Sequence, residues 1–240
     1  MWDWNYAVSI LPELLKALRI TILATFGGFI VACFAGLVLV MLVRSPWRWV
    51  SLPARFAMEF IRSTPLLVQV FFLYYSLPGL TSISFSAITV GIMGLGIHYG
   101  TYLSEVYRSG IEAVPRGQWE AGTALNFSRF SIWTRIILPQ ALPPVVPVMG
   151  NYLIVMFKET PVLSAITLVE LLKTAKNIVS ESYRVFEPYT LVGLLFLLIS
   201  YPASLLVQRL ERRMKMQQAA PARFSLRVMR QAWQRKEESL

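Results

Sequence analysis

Residues 118–141 read QWEAGTALNFSRFSIWTRIILPQA and form the longest stretch between two apolar segments of the chain. Glu120, Ala121 and Gly122 predict a short helix, whose two small residues let a neighbouring backbone or a bulky side chain approach closely. Asn126 predicts the end of this helix, because Asn is the residue after Gly that best tolerates the left-handed C-cap conformation. An Ile-x-Leu-Pro sequence then leads into the next apolar segment. The stretch therefore predicts a helix, a break and a second helix.

The composition is that of an integral membrane protein rather than a soluble globule. The 240 residues are 55% hydrophobic and only 15% charged, and the mean hydropathy is positive, +0.54. The single cysteine, Cys33, excludes an internal disulfide and a multi-cysteine metal site, and the single histidine, His98, excludes a multi-histidine site. The sequence has no catalytic set at recognisable spacing, so we expect neither an enzyme nor a metal site.

Five apolar segments predict five transmembrane helices, since a helix needs about 20 apolar residues to cross the bilayer core. They are residues 18–43, 57–77, 85–107, 143–168 and 190–210. The first is too long for the apolar region of a signal peptide, so we expect it to remain as a span. Residues 169–189 are amphipathic and predict a helix at the outer surface. We expect a membrane domain at residues 1–210 with a cytoplasmic loop at 109–142, followed by a basic cytoplasmic tail at 211–240.

The placement of the basic residues predicts the orientation of the chain. Of the 23 Lys and Arg residues, four lie in residues 44–62, four in 108–135 and nine from residue 209 onward, all on one side of the predicted spans. The positive-inside rule puts that side in the cytoplasm, so the N-terminus is expected outside and the C-terminus inside. The net charge of +10 thus indicates orientation and not nucleic-acid binding. For the tail, contact with anionic lipid headgroups and a disordered, solvated state both remain open.

Polar residues inside the apolar segments predict a solute path, because charged side chains are costly in lipid and face protein or a water-filled cavity. Pro65 and Pro161 each follow a threonine and remove a backbone donor, so each predicts a broken helix. The predicted path residues are Arg62, Thr64, Gln69, Glu105, Lys158, Glu159 and Thr160. The alternatives are a snorkelling side chain at position 62, a surface pair of Glu105 with Arg108, and a purely structural kink at Pro161.

Residues 118–141 resemble the EAA loop of the membrane subunits of ABC importers. In that family the loop forms a coupling helix that docks in a cleft of the cytoplasmic ATPase subunit. Asn126 stands where the family usually has glycine, and asparagine still reaches the left-handed conformation. The resemblance implies a coupling role for Glu120, Ala121, Gly122, Leu125, Asn126 and Pro139.

Residues 62–69, RSTPLLVQ, are similar to a segment of polar amino acid permeases, with Ser63 in place of the usual glycine. Within that family, HYGTY at 98–102 and MFKETP at 156–161 look most similar to ectoine and hydroxyectoine permeases. The resemblance implies an all-helical type I importer fold in the bacterial inner membrane that moves its solute by alternating access. It also implies three partners: a cytoplasmic ATPase dimer, a second permease subunit that is either a sister subunit or a second copy of this chain, and an extracytoplasmic solute-binding protein.

ATP hydrolysis is expected to belong to a partner, because the chain has no phosphate-binding loop of the Gly-x-x-x-x-Gly-Lys-Ser type. We therefore expect the chain itself to bind no cofactor, with ATP and Mg handled by the ATPase. Two other classes compete with this interpretation. An ion-coupled secondary transporter or channel shares the apolar spans but does not need the 118–141 loop. An inert anchoring subunit is disfavoured by the cost of Lys158 and Glu159 at membrane depth.

Overall fold

The computed structural model describes the backbone of residues 2–237 and the side chains of residues 2–214, and within this part of the chain every regular element is helical. The α-helices are α1 (Trp4–Val43), α2 (Arg48–Ser63), α3 (Leu66–Phe71), α4 (Leu77–Thr81), α5 (Ala87–Glu112), α6 (Arg116–Ala124), α7 (Arg129–Ser131), α8 (Leu138–Glu159), α9 (Leu171–Ser182) and α10 (Phe186–Glu237). Two π-helical turns, Phe72–Ser76 and Ile132–Ile137, and a 3-10 turn, Thr160–Ile166, link some of them. The predicted all-helical class is confirmed. Most side chains of the predicted basic tail lie outside the described residues.

Three helical stretches are long and apolar enough to cross a membrane, namely Trp4–Val43, Arg129–Ile166 and Phe186–Met214. A fourth, Arg48–Ser63 with Leu66–Thr81, qualifies only as a pair that bends by 103°. The described helices thus give three or four candidate spans, where the sequence predicts five. The remaining predicted span is α5, which is rich in glycine and polar residues. This helix is packed between α1 and α8, so it has less need of a continuous lipid-facing surface.

The packing of α1 against α5 builds the centre of the molecule. Gly36 of α1 faces α5 at Gly100, and a Cβ atom at Gly100 would lie 2.7 Å from the Cβ of Ala35. A Cβ at Gly96 would overlap the Val31 side chain. The absence of side chains at these positions lets the two backbones approach closely, as is typical of helix pairs in membranes.

α9 packs against the N-terminal parts of α1 and α10. Its buried side chains Leu171, Ala175 and Ile178 recur at helical spacing and share one apolar cluster with residues of those helices. The Glu170 carboxylate caps α9 by accepting two backbone N–H groups of the first turn, and burial raises the pKa of this carboxyl. The predicted amphipathic helix is confirmed, while its place at the outer surface stays a prediction.

Candidate functional site

The break predicted at Pro65 is a turn of 103° between α2 and α3, so residues 57–77 are not one continuous helix. Pro65 has no N–H to donate to the carbonyl of Ile61, and Thr64 takes an extended conformation. The Ile61 carbonyl instead accepts Nε2 of Gln69 at 2.6 Å and Oγ1 of Thr64 at 3.2 Å. Two side chains predicted on the solute path therefore hold the break itself.

The break predicted at Pro161 has the same chemistry. Pro161 offers no N–H to the carbonyl of Phe157, and Oγ1 of Thr160 donates to that carbonyl at 2.7 Å. Thr160 is fully buried, and the chain tightens here into the 3-10 turn, which ends at Thr167 with φ 64°. In both breaks, a threonine hydroxyl satisfies the carbonyl four residues before the proline.

The two breaks lie side by side, since α3 packs on the 3-10 turn Thr160–Ile166. The hydroxyl of Tyr75 donates to the Ala165 carbonyl at 3.1 Å, and the hydroxyls of Tyr74 and Thr167 are 2.9 Å apart. A pocket of about 430 Å³ lies between the breaks and α5. Its polar lining consists of Arg62, Ser63, Thr64, His98, Tyr99, Tyr102 and Glu159.

The pocket presents one positive and one negative side chain beside an aromatic wall. Arg62 and Glu159 both line it, and Glu159 makes no ion pair with another side chain of residues 2–214. The rings of Tyr99 and Tyr102 lie 6.1 and 5.9 Å from the ring of Tyr152, measured between centroids. A small solute that carries a negative group, a positive group and a short chain fits this arrangement.

His98 is tied to the first break through Gln69. Nδ1 of His98 lies 3.2 Å from Oε1 of Gln69, whose Nε2 holds the Ile61 carbonyl. One amide thus serves both the backbone and the imidazole, and neither end of it is free for a solute. Among the described residues, no group of three His, Cys, Asp or Glu side chains could hold a metal ion.

A larger cavity of about 880 Å³ adjoins the pocket, and Arg62 lines both. On the side of this cavity, Nη1 of Arg62 is 3.7 Å from Oε1 of Glu105, and Nη2 is 3.4 Å from Oε2 of Glu59. Arg108 holds Glu105 more tightly, at 2.6 Å, and also pairs with Glu112 at 2.8 Å. Glu105 therefore forms the pair with Arg108 that is the alternative to a role on the solute path, and it also reaches the arginine that lines the pocket.

The structure brings most of the predicted path residues together. Three of them line the pocket: Arg62, Thr64 and Glu159. Three more contact those residues or hold the breaks: Gln69, Glu105 and Thr160. Lys158 differs, because it is exposed on α8 and is not among the residues that line these two cavities. Consecutive helical residues point about 100° apart, which separates Lys158 from its neighbour Glu159.

Sequence reasoning missed several side chains that complete the site. Tyr99 directly follows His98, and Tyr102 lies one helical turn further on, so their spacing is a readable signal. Glu59 stands three residues before Arg62, which is also a readable pairing distance on a helix. Tyr152 carries no local signal, because only the packing of α8 against α5 brings its ring to the rings of Tyr99 and Tyr102 behind the pocket lining.

The 118–141 loop forms the predicted helix, break and helix, but the first helix begins at Arg116, four residues before the predicted start at Glu120. α6 ends at Ala124, and Asn126 has φ 57°, the left-handed conformation predicted for it. Gly122 is buried, and a Cβ there would lie 3.0 Å from Ile132 and 3.1 Å from Ile136. The small residue therefore lets α6 lie flat on the turn that leads into α8.

The opposite face of α6 is exposed. Glu120, Ala121 and Leu125 all lie on it, and Leu125 is 69% exposed. Glu120 makes no ion pair with another side chain of residues 2–214. Pro139 stands at the start of α8, where a missing backbone N–H is tolerated. The front face of α6 thus presents an exposed acid and an exposed leucine, while its back face is packed.

The chain matches, over residues 28–216, a family model described as the inner membrane component of binding-protein-dependent transport systems. A probable amino-acid ABC transporter permease protein of Sinorhizobium fredii is 47% identical over 212 residues, which are 86% of this chain and 91% of that protein. The glutamine transport system permease protein of Escherichia coli is 30% identical over 220 residues, which are 89% of this chain and 98% of that protein.

Solved structures resemble the chain over nearly the same length. The crystal structure of an amino acid ABC transporter with histidines superposes with a TM-score of 0.83 at 32% identity, over 89% of this chain and 99% of that one. An inward-facing structure of the MetNI methionine ABC transporter superposes with a TM-score of 0.68 over the same shares. Its identity is 17%, so this second likeness concerns the fold alone.

Proposed function

Because the chain belongs to the family of inner membrane components of binding-protein-dependent transport systems, we propose that it is the permease subunit of an ATP-driven importer of polar amino acids. The observation that carries this proposal is the pocket between the two Thr-Pro breaks, where Arg62 and Glu159 present opposite charges. A free amino acid has a carboxylate for the guanidinium and an ammonium group for the carboxylate. The permeases for glutamine and other amino acids to which the chain is similar support the same solute class.

Ectoine and hydroxyectoine are the second solute class that this pocket suits. These compatible solutes also join a carboxylate to a positive group, so the same two side chains fit them. Two short motifs, residues 98–102 and 156–161, resemble ectoine permeases, but the comparisons over most of the chain show similarity to amino-acid permeases. We place amino acids first for that reason.

α6 is the part of the chain that we assign to coupling. It follows α5 after three residues, and through the π-helical turn Ile132–Ile137 it leads into α8. α5 carries His98 and Tyr99, and α8 carries Glu159, so a displacement of α6 reaches two walls of the pocket. In this proposal ATP-driven closure of a cytoplasmic ATPase dimer moves α6, and the pocket alternates between the two sides of the membrane.

Two further partners follow from the same proposal. A solute-binding protein delivers the solute at the outer face, and a second permease subunit covers the open side of the pocket, where Ser63 and Pro65 are exposed. The chain supplies the solute pocket and the coupling helix, and the ATPase supplies ATP and Mg chemistry.

Uptake by proteoliposomes tests the proposal. The vesicles contain the chain with its partner ATPase, enclose ATP, and receive the solute-binding protein and labelled L-glutamine, L-arginine or ectoine from outside. We expect ATP-dependent accumulation of one amino acid, and none with an ATPase variant that cannot hydrolyse ATP. Accumulation of ectoine alone would show that the transported solute is a compatible solute and not an amino acid. Uptake driven by an ion gradient without ATP would overturn the proposal in favour of a secondary transporter.

A further inference from the structure

Arg62 stands between the pocket and the larger cavity and lines both. The carboxylates that contact it lie on the side of the larger cavity, Glu59 at 3.4 Å and Glu105 at 3.7 Å. Glu159 lines the pocket on the other side. The route from the pocket into the larger cavity therefore runs past this guanidinium.

The guanidinium of Arg62 is held loosely. Charge-assisted N–O contacts are usually about 2.7–2.9 Å long, so its contacts of 3.4 and 3.7 Å are weak. Its Nε is buried and has no hydrogen-bond partner among the described residues. Arg108, by contrast, lies 2.6 Å from Glu105 and 2.8 Å from Glu112. Arg62 therefore has donors to spare and leaves its carboxylates more readily than Arg108 would.

We propose that Arg62 is a latch operated by the carboxylate of the solute. Without solute, Arg62 joins α2 to α5 through Glu105, with Glu59 holding it from its own helix, and the route past it is closed. A solute carboxylate in the pocket takes over the guanidinium and releases that bridge. The exchange keeps the guanidinium paired, which matters because an unpaired charge is costly at membrane depth. This inference rests on the proposed function, since it requires that the pocket bind the solute.

Glu59→Gln tests the latch, and Glu112→Gln is its matched control. Glu59 pairs with Arg62, whereas Glu112 belongs to the same charged cluster but pairs with Arg108 and Arg44. The two side chains are 71% and 53% exposed, so neither substitution disturbs a packed core. Co-purification with the ATPase establishes that each variant assembles.

L-Glutamine binding and ATP hydrolysis are measured on the purified complex of the chain with its ATPase, without binding protein. If the uptake assay selects another amino acid, that amino acid replaces glutamine. Glu59→Gln is expected to tighten binding about two- to fivefold, because it removes a competitor for the guanidinium. It is also expected to raise hydrolysis in the absence of solute, because only the longer contact with Glu105 then holds the latch. Glu112→Gln is expected to change neither quantity. Equal behaviour of the two variants would overturn the latch.

Two pocket variants separate failure of the latch from failure of the proposed function. Arg62→Gln is expected to weaken binding of L-glutamine about tenfold or more but to leave binding of its α-carboxamide unchanged, since that analogue has no carboxylate. Glu159→Gln is expected to weaken binding of both compounds, because both carry the ammonium group. If neither variant changes binding, the pocket is not the solute site. If both act and Glu59→Gln still behaves like Glu112→Gln, only the latch is wrong.

Discussion

A threonine hydroxyl lies next to each proline that breaks a helix beside the pocket. Thr64 and Thr160 both lie within hydrogen-bond distance of the carbonyl to which the following proline cannot donate. In lipid no water is present to hydrogen-bond such a carbonyl. The threonine hydroxyl supplies the donor and so allows a helix to be broken at membrane depth. The first break adds the amide of Gln69, which also contacts His98. The breaks are therefore built from side chains that sequence analysis places on the solute path.

Thr160→Val is expected to destabilise the protein by about 1–3 kcal/mol, because it leaves the buried Phe157 carbonyl without its donor while it preserves the shape of the side chain. Thr160→Ser keeps the hydroxyl and is expected to be closer to the wild type. Thermal unfolding of the two purified variants in detergent measures the difference. A valine variant as stable as the serine variant would show that the hydroxyl does not hold the break.

At the scale of elements, α6 combines a packed back face with an exposed front face. Gly122 lets the helix lie against Ile132 and Ile136, and the rings of Trp119 and Trp133 pack edge to face with centroids 5.1 Å apart. These contacts fix α6 to the turn before α8. Because its back face is held by these contacts, α6 is expected to pass a displacement of its exposed face on to the π-helical turn and α8.

Glu120→Lys is expected to leave the protein in the membrane and to reduce ATP-dependent uptake at least about tenfold, because it reverses the charge of the proposed docking face. Uptake and co-purification of the ATPase are the two measurements. Glu181→Lys, an equal charge reversal at an exposed position of α9, is the control and is expected to recover the ATPase like the wild type. Intact uptake with wild-type recovery of the ATPase in the Glu120 variant would refute a coupling role for this acid.

At the scale of the whole molecule, the chain has the all-helical fold of ABC transporter permeases. The start of α1 is tied to the connection between α9 and α10: Arg184 lies 3.1 Å from Asp3 and 4.6 Å from the ring centroid of Tyr6. The backbone N–H of Tyr6, followed by Arg184, lowers the pKa of the Asp3 carboxyl. Residues 3 and 184 therefore belong to the same side of the membrane.

Cysteine labelling tests the predicted orientation, in which that side is external and α6 is cytoplasmic. Single cysteines replace Gly117, where an added Cβ meets no atom within 4 Å, and Val185, which is 56% exposed, in a Cys33→Ala background. In spheroplasts, a membrane-impermeant maleimide is expected to label the cysteine at 185 only. In inverted membrane vesicles, it is expected to label the one at 117 only. The reverse pattern, or labelling of both from one side, would contradict the orientation.

The sequence by itself determined the features that depend on local chemistry. Hydropathy indicates helices in a membrane, Pro65 and Pro161 indicate breaks, and Asn126 indicates the end of α6. The proline and asparagine signals act within one helical turn of the residue that carries them, because a proline removes its own N–H and an asparagine tolerates a left-handed φ. Charge placement predicts an orientation that awaits the labelling experiment.

Only the tertiary structure decided which side chains meet. The close approach of α1 and α5 sets where α2 and α8 lie, and that placement brings Arg62 to Glu105 and Tyr152 to Tyr99. It also points Lys158 away from the pocket that its neighbour Glu159 lines. Arg62 and Glu105 are 43 positions apart in the chain, and Tyr99 and Tyr152 are 53 positions apart, so no local pattern could have paired them. These side chains come together because whole helices pack against each other, and that packing is stabilised by many weak contacts along their length.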